Sequence, residues 1–152
     1  MKAISLWQPW ASAMALGLKA IETRHWSTPH RGPMAIHAAK RWTADERETA
    51  EIMGLPAGLP LGAIVAVGSL VDVVRTEDIR DTISPQENQW GNYGKGRFGW
   101  VFENIRPLKN PIPYRGMQGI FQISPEAAKR AMRDIGMPTG SKRDCNTSLH
   151  PD

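Results

Sequence analysis

The segment 17–24 reads GLKAIETR and holds a lysine, a carboxylate, a hydroxyl and a guanidinium within six positions. On a regular strand Lys19 and Thr23 share one face, while Glu22 and Arg24 share the other. If a bend brings Lys19 and Glu22 together inside a cavity, the pair can serve as a general acid and base. The planar fork of Arg24 suits a phosphate or the edge of a base. The alternative is a surface strand whose ion pairs contribute roughly 0–1 kcal/mol each, and spacing alone favours this alternative.

A second group of residues could hold an unstacked base without any catalysis. Trp26 and Tyr93 stand in turn-rich segments among cations, so a base could stack on an aromatic ring while the cations contact its phosphate. The cations of this predicted cleft are Arg24, Arg31, Lys95 and Arg97. The remaining aromatic residues in apolar contexts are expected in the core, namely Trp7, Trp10, Phe98, Trp100 and Phe102.

Three histidines and a glycine-rich loop raise two further hypotheses, a metal site and a nucleoside triphosphate site. His25, His30 and His37 are five and seven residues apart, and this spacing matches no helix-based ligand pair, so neither a metal nor a cofactor is predicted. His37 stands within AIHAA and is expected as a hydrogen-bonded residue at the edge of the cleft. The sequence GNYGKG at 91–96 lacks the spacing of a nucleotide-hydrolase loop.

The net charge of +4 is unevenly distributed along the chain. Residues 1–43 carry six Lys/Arg against one Glu, and residues 95–116 carry five against one. Residues 44–94 carry three against nine acidic side chains. Two basic blocks that flank an acidic one can converge into a single positive face, which is typical of nucleic-acid binding. A solvated surface without a partner explains the charge equally well.

Length and composition restrict the class of protein. A chain of 152 residues, 41% of them apolar, suits one domain with a real core. It has no run of the roughly 20 apolar residues that a membrane span needs, and no leader-like apolar segment at its N-terminus, so no membrane association is expected. Cys145 is the single cysteine, which excludes a disulfide within the chain and fits a reducing cytosol. We expect a cytoplasmic protein that is a monomer.

The hydrophobic periodicity predicts five strands and three helices. Helices are expected over 7–17, 43–54 and 124–136, the second of them opened by the capping box TADE. Strands are expected over 18–26, 34–39, 62–74, 97–103 and 119–123. Residues 75–96 hold many turn formers and are expected to form a long loop. Since few strands are separated by helices, the pattern favours a small, mostly antiparallel barrel with helices packed outside.

Taken together, several segments make the chain resemble the ASCH domain family, a branch of the PUA-like β-barrels. GLKAIETR matches the family signature G-x-K-x-x-E-x-R. The resemblance extends in family order through ISLWQPWA at 4–11, HRGPMAIHA at 30–38, LPLGAIVAV at 59–67, GNYGKGRFGWVFEN at 91–104 and PIPYRGMQGIF at 111–121. It implies an α+β fold, a small PUA-like and mostly antiparallel β-barrel of about five or six strands with helices packed outside.

The same resemblance implies a cleft, lined by the signature residues, that binds RNA or a single and often modified nucleotide. Some small members are amidohydrolases that remove the acetyl group of N4-acetylcytidine with a Lys, a Thr three residues later and a distant Glu. Lys19 occupies the lysine position, whereas Glu22 stands where that Thr is expected, with Thr23 adjacent to it. Asp72 and Glu103 are the candidates for the distant carboxylate.

Two functions are therefore favoured by features of the sequence, whereas a third, an adaptor that contacts proteins, has no positive feature to support it. The first is a binding module that takes RNA or a modified nucleotide into a basic cleft made by the signature residues and the 93–97 loop. The alternative is a metal-independent hydrolase, an N4-acetylcytidine amidohydrolase or a ribonuclease, that uses Lys19 and Glu22 with Thr23 as a further catalytic candidate. The presence of Glu22 in place of Thr favours the binding module. Residues 1–138 are expected to form the domain, including a C-terminal helix, and residues 139–152 a disordered tail.

Overall fold

A computed structural model of the protein describes residues 1–137, in which six strands form one sheet and five helices surround it. The expected tail, 139–152, lies outside the described residues. The strands are β1 (Lys2–Leu6), β2 (Ile21–Arg24), β3 (Gly32–Ala38), β4 (Ala63–Arg75), β5 (Phe98–Pro113) and β6 (Ile120–Gln122). The helices are α1 (Trp10–Ala15), α2 (Ala44–Ile52), α3 (Thr76–Ile79), α4 (Pro85–Gln89) and α5 (Pro125–Asp134).

The sheet has the strand order β2-β5-β4-β3-β1-β6 and curves into a half-barrel. All neighbouring strands are antiparallel except β1 and β3, which pair in parallel. The α+β class and the mostly antiparallel sheet of five or six strands are therefore confirmed. The sequence did not predict β1, a strand of five residues. Its partners β3 and β6 lie far along the chain, so local pattern gives little sign of it.

The two long strands β4 and β5, of 13 and 16 residues, carry the curvature. Their register shifts three times, and one shift, between Val67 and Ser69, faces Asn104. Asn104 adopts a left-handed φ of 51°, a conformation that asparagine tolerates better than most residues. This irregularity bends the pair and lets β5 continue to Pro113 instead of ending near Glu103 as expected.

The helices follow the predicted start signals more closely than the predicted lengths. At α2, Thr43 and Glu46 form the predicted capping box. At α5, the Ser124 hydroxyl accepts a 3.1 Å hydrogen bond from the Ala127 amide. The helix expected over 7–17 is limited to α1. The prediction of a long loop over 75–96 was wrong in part, because this segment contains the short helices α3 and α4.

Alternation along the central strands divides the core between the two faces of the sheet. On β1, Ile4 and Leu6 belong to one buried cluster and Ala3 to the other. The first cluster includes the buried residues of α1 and the side chains of Trp100 and Phe102, two aromatic residues whose core position is confirmed. The second cluster lies under α5. Both faces are thus covered, and polar side chains gather where the strands end.

Candidate functional site

Arg24, the last residue of β2, links one edge of the sheet to its other side. Its Nη2 donates a 2.7 Å hydrogen bond to the backbone carbonyl of Ser5 on β1, although three strands lie between β2 and β1 in the sheet. The Glu22 carboxylate lies 3.6 Å from Arg24 Nε. Burial lowers the pKa of Arg24, while Glu22 opposes that shift. Since a guanidinium is not deprotonated in proteins, a largely buried positive charge stands here.

A cleft of about 500 Å³ opens beside this guanidinium. We call it the aromatic cleft, and its walls include Ser5, Trp7, Arg24, His25, Trp26 and Gln118. The ring of Trp26 meets that of Trp100 edge to face, with 4.7 Å between their centroids. The indole N–H of Trp100 also donates a 3.1 Å hydrogen bond to the Trp26 carbonyl. The core therefore holds Trp26 in place while part of its ring stays accessible.

Trp7 also lines the aromatic cleft, which corrects its expected place in the core. Its side chain is 53% exposed. The physical reason is that β1 ends at Leu6 and α1 begins only at Trp10, so Trp7 belongs to neither buried face. The guanidinium carbon of Arg41 lies 4.2 Å from the centroid of the Trp7 ring, within the range of a cation–π contact.

A second cleft, of about 870 Å³, shares Ser5 with the first. We call it the histidine cleft, because His37 lies in its wall. His37 Nε2 lies 2.7 Å from the Tyr114 carbonyl, which can only accept, so Nε2 carries the proton. Nδ1 then accepts the hydroxyl hydrogen of Ser5, 2.8 Å away. Burial lowers the pKa of His37, and the ring is neutral at pH 7. His37 is thus hydrogen-bonded at the cleft edge and fully buried.

Lys19, the lysine of the signature, lies outside both clefts. It is 3% exposed, and its Nζ donates a hydrogen bond to the carbonyl of Ile21. Among residues 1–137, no ion pair within 4 Å joins Lys19 to Glu22 or to any other carboxylate. The structure therefore brings Glu22 to Arg24 instead of to Lys19. The catalytic use of Lys19, Glu22 and Thr23 stays a prediction.

Hydrogen bonds join α4 and the segment that follows it to β2 and to Ala20 directly before β2. The Glu87 carboxylate accepts hydrogen bonds from the amides of Ala20 and Ile21, at 3.0 and 3.1 Å. The Thr23 hydroxyl accepts a 2.9 Å bond from the Asn92 amide. β2 is an edge strand, so one of its sides has no neighbouring strand. These hydrogen bonds satisfy backbone amides and a hydroxyl on that open side.

The three predicted contacts of the 93–97 loop have different surroundings. Tyr93 is buried, and burial together with the carboxylates of Glu87 and Glu22 raises the pKa of its phenol. As it stands, its ring offers no open face for stacking. Arg97 donates bonds of 3.2 Å to the carbonyls of Asn92 and Thr23. Lys95 is exposed and lines neither of the two clefts.

Arg31 and the candidate distant carboxylates lie away from both clefts. Arg31 precedes β3, at the end opposite to Ala39, which lines both clefts. Its guanidinium donates to the carbonyls of Thr28 and His30 and lies 3.8 Å from Asp72. Asp72 and Glu103 are both exposed. Neither carboxylate forms an ion pair with Lys19 within 4 Å, so neither is favoured over the other.

The three histidines are separated in space. His25 lines the aromatic cleft and His37 the histidine cleft, while the His30 amide donates to the Thr28 hydroxyl. Within the part of the chain that the structure describes, no group of three His, Cys, Asp or Glu side chains is placed to hold a metal ion. No helix among those residues is long and apolar enough to cross a membrane.

Sequence reasoning missed several residues of the clefts, among them Ser5, Trp7 and Gln118. Ser5 contacts both Arg24 and His37, Trp7 is half-exposed, and Gln118 lines both clefts. The segments ISLWQPWA and PIPYRGMQGIF contain all three. Their presence among the segments of the family resemblance was the one available signal, since neither segment carries a charged or metal-ligating pattern.

Comparison with known proteins agrees with this architecture. The family model "ASCH domain" matches residues 4–112. Activating signal cointegrator 1 of Homo sapiens and that of Mus musculus are each 23% identical over 143 residues, covering 87% of this chain. The chain spans about a quarter of the length of these curated relatives, since the match covers 24% of each.

Solved structures show the same fold. The crystal structure of ASCH from Zymomonas mobilis matches with a TM-score of 0.57 at 15% identity, covering 90% of this chain and 96% of that one. A single-residue variant of the same protein matches with a TM-score of 0.56 at 15% identity, over 87% and 96%. Three observations agree with one another. They are the curved, mixed sheet of six strands, the signature lysine and arginine around β2, and the family match over most of the described residues. The chain accordingly belongs to the ASCH domain family, whose PUA-like fold is associated with RNA binding.

Proposed function

We propose that this chain is a nucleic-acid-binding module that takes RNA, or a modified nucleotide, into the cleft beside Arg24. The observation that carries the proposal is the position of that guanidinium, one-fifth exposed in the wall of the aromatic cleft and 6.0 Å from the ring of Trp26. Arg24 has five N–H donors and uses one of them on Ser5. A cation beside an aromatic ring suits a phosphate and the base attached to it.

The surrounding charge supports the same function. Arg115 and Lys40 line the neighbouring histidine cleft, and both belong to the two basic blocks of the sequence. The acidic block includes α2, α3 and α4. Lys95 and Arg31 stay proposed as outer phosphate contacts, because they lie outside both clefts.

The experiment measures fluorescence anisotropy of a labelled single-stranded RNA at several salt concentrations. Binding weakens as salt rises, because each phosphate contact releases counterions. Arg24→Ala lowers the affinity by about 10- to 150-fold, because a hydrogen bond to a charged group contributes roughly 1.5–3 kcal/mol. Arg80→Ala, which removes a positive charge within the acidic block, is the matched control and leaves the affinity within about twofold.

Arg24→Ala also removes the bond to Ser5, so its folding is checked by circular dichroism, and Arg24→Lys serves as the charge-preserving variant. Affinity that does not change with salt would refute the phosphate contacts. Equal loss in Arg24→Ala and Arg80→Ala would refute the assigned place of the cleft.

The hydrolase alternative has one observation in its favour. Lys19 is buried, and no carboxylate among residues 1–137 lies within 4 Å of its ammonium group. Buried lysines without a carboxylate partner occur at catalytic sites, where they act as nucleophiles or bases. Incubation of the protein with N4-acetylcytidine and with labelled RNA, beside Lys19→Ala, tests the idea. Product that forms with the unchanged protein and is lost in Lys19→Ala supports a hydrolase, and unchanged substrate in both assays eliminates it.

A further inference from the structure

Trp7 is the largest exposed aromatic side chain at either cleft. It is 53% exposed, although the transfer of an indole ring from water to an apolar environment is favourable. Trp7 and Trp26 both line the aromatic cleft. An exposed aromatic residue in a concave wall is a candidate for ligand contact, whereas one on a convex surface needs no explanation.

One face of the Trp7 ring is occupied by a braced cation. Arg41 lies 4.2 Å from the ring centroid, and its Nε donates a 2.5 Å hydrogen bond to Glu46. Glu46 is 3% exposed and also accepts hydrogen bonds from the amide and the hydroxyl of Thr43. These bonds lower the pKa of Glu46 to about 2. The carboxylate therefore stays charged at neutral pH and fixes Arg41 over the indole.

This arrangement restricts the ring and leaves Trp7 about half exposed. A free tryptophan would lose rotamer entropy on binding a ligand, whereas a ring held beforehand loses less. Trp26, which also lines the aromatic cleft, is held in turn by its edge-to-face contact with Trp100. The wall of the same cleft includes Arg24 and Gln118. The cleft thus combines aromatic faces with a fixed cation and a side chain that both donates and accepts.

We propose that Trp7 is a stacking platform for one unpaired base, and that Arg41 and Glu46 are its positioning residues. This inference rests on the proposed function, because it names the part of a nucleic acid that enters the cleft. A base within a duplex has both faces covered by neighbouring bases, whereas an unpaired base can leave the stack and lie on an indole. A volume of about 500 Å³ is large enough for one nucleotide.

The first test compares a labelled single-stranded oligonucleotide of RNA with a blunt RNA duplex of the same sequence. Trp7→Ala weakens single-strand binding about tenfold or more, since base stacking on an aromatic ring is commonly that strong. Trp7→Phe, which keeps a smaller ring, recovers part of the loss. Leu16→Ala is the matched control, because Leu16 is also 53% exposed but lines neither cleft, and its affinity is unchanged. Duplex binding is equal in all four proteins.

The second test separates positioning from simple loss of charge. Arg41→Gln weakens single-strand binding in the unchanged protein, and it has a smaller effect in the Trp7→Ala background, because the platform is then absent. Arg41 is about half exposed, so this variant is expected to fold. Equal effects in the two backgrounds would mean that Arg41 acts only through its charge, which overturns the positioning role.

The outcomes distinguish this inference from the function on which it rests. Salt-dependent binding of RNA that is the same in Trp7→Ala and in the unchanged protein overturns the platform and leaves the binding module intact. Equal losses on the single strand and the duplex overturn the selection of an unpaired base. No binding of RNA at any salt concentration overturns both proposals.

Discussion

Arg24 and Ser5 lie on strands that do not pair, yet a 2.7 Å hydrogen bond joins the guanidinium of one to the carbonyl of the other. The bond spans the open side of the half-barrel, where no ladder of backbone bonds holds β2 against β1. Because the same guanidinium lines the aromatic cleft, the residue that shapes the cleft also fastens the curved sheet. Stability and binding are therefore linked at this position.

We expect Arg24→Lys to lower the free energy of unfolding by about 1–2 kcal/mol. The reason is that a lysine ammonium group lacks the planar fork with which Arg24 binds Ser5 and approaches Glu22 at the same time. Urea unfolding followed by tryptophan fluorescence measures the change. Arg31→Lys is the control, since Arg31 is exposed, donates hydrogen bonds within its own turn and pairs with Asp72. A stability equal to that of the control variant would show that the bond contributes nothing.

The neutral state of His37 predicts a pH dependence with a definite sign. Burial lowers the pKa of His37 in the folded protein below its ordinary value of 6.5. The unfolded chain therefore binds more protons as the pH falls below about 6.5, and the free energy of unfolding decreases in that range. Above 6.5 the contribution of His37 is complete. Urea unfolding at pH 7.5 and pH 5.5 measures the difference.

In His37→Gln part of this decrease disappears, because the titrating group is gone. His25→Gln is the matched control, since His25 is an exposed histidine of the neighbouring cleft. If both variants keep the full difference between the two pH values, His37 is not the group responsible.

Gly116 is predicted not to tolerate substitution by alanine, the residue with the smallest side chain. A Cβ at this position would lie 2.6 Å from His37 Cε1 and 3.2 Å from the Ser5 hydroxyl. Since both imidazole nitrogens are hydrogen-bonded, the ring cannot move aside without disturbing these bonds, and we expect Gly116→Ala to cost about 1–3 kcal/mol of stability. Thermal unfolding measures this loss. A melting temperature equal to that of the unchanged protein would show that the loop 114–119 can withdraw from His37 without penalty.

Glu87 is expected to hold the edge of the sheet closed. Its two carboxylate oxygens accept from the amides of Ala20 and Ile21, so Glu87→Ala leaves both amides open to water. We expect a loss of about 1 kcal/mol and faster hydrogen exchange at these two amides. For Glu87→Gln, which keeps one acceptor oxygen, we expect a stability and an exchange rate between those of the unchanged protein and those of Glu87→Ala. Unchanged exchange in Glu87→Ala would show that solvent already reaches this edge.

The sequence predicted those parts of the fold that depend on local pattern. The capping box at Thr43 and the apolar run that became β4 are examples, because each is specified by neighbouring residues. It missed β1 and the second half of β5. β1 is defined by partners from distant parts of the chain, and β5 continues past Asn104 only because β4 shifts its register at the same place.

The site was predicted only in part, for a similar reason. The signature indicated Arg24, and the structure places it in the wall of a cleft. Residue type could not reveal that Trp7 is exposed, because a tryptophan beside apolar residues is as typical of a core as of a surface cleft. Nor could spacing show that Tyr93 is buried or that Arg31 lies at the far end of β3. These facts depend on how the sheet curves.

The position of β1 within the sheet has a consequence for the order in which the protein folds. β1 lies between β3 and β6, so the first strand of the described chain needs the last one before both of its edges are filled. Contacts between such distant segments form slowly, because a long loop must close first. The segment 114–119, which completes both clefts, directly precedes that last strand. During synthesis, both clefts are therefore completed only after nearly all of the described chain has left the ribosome.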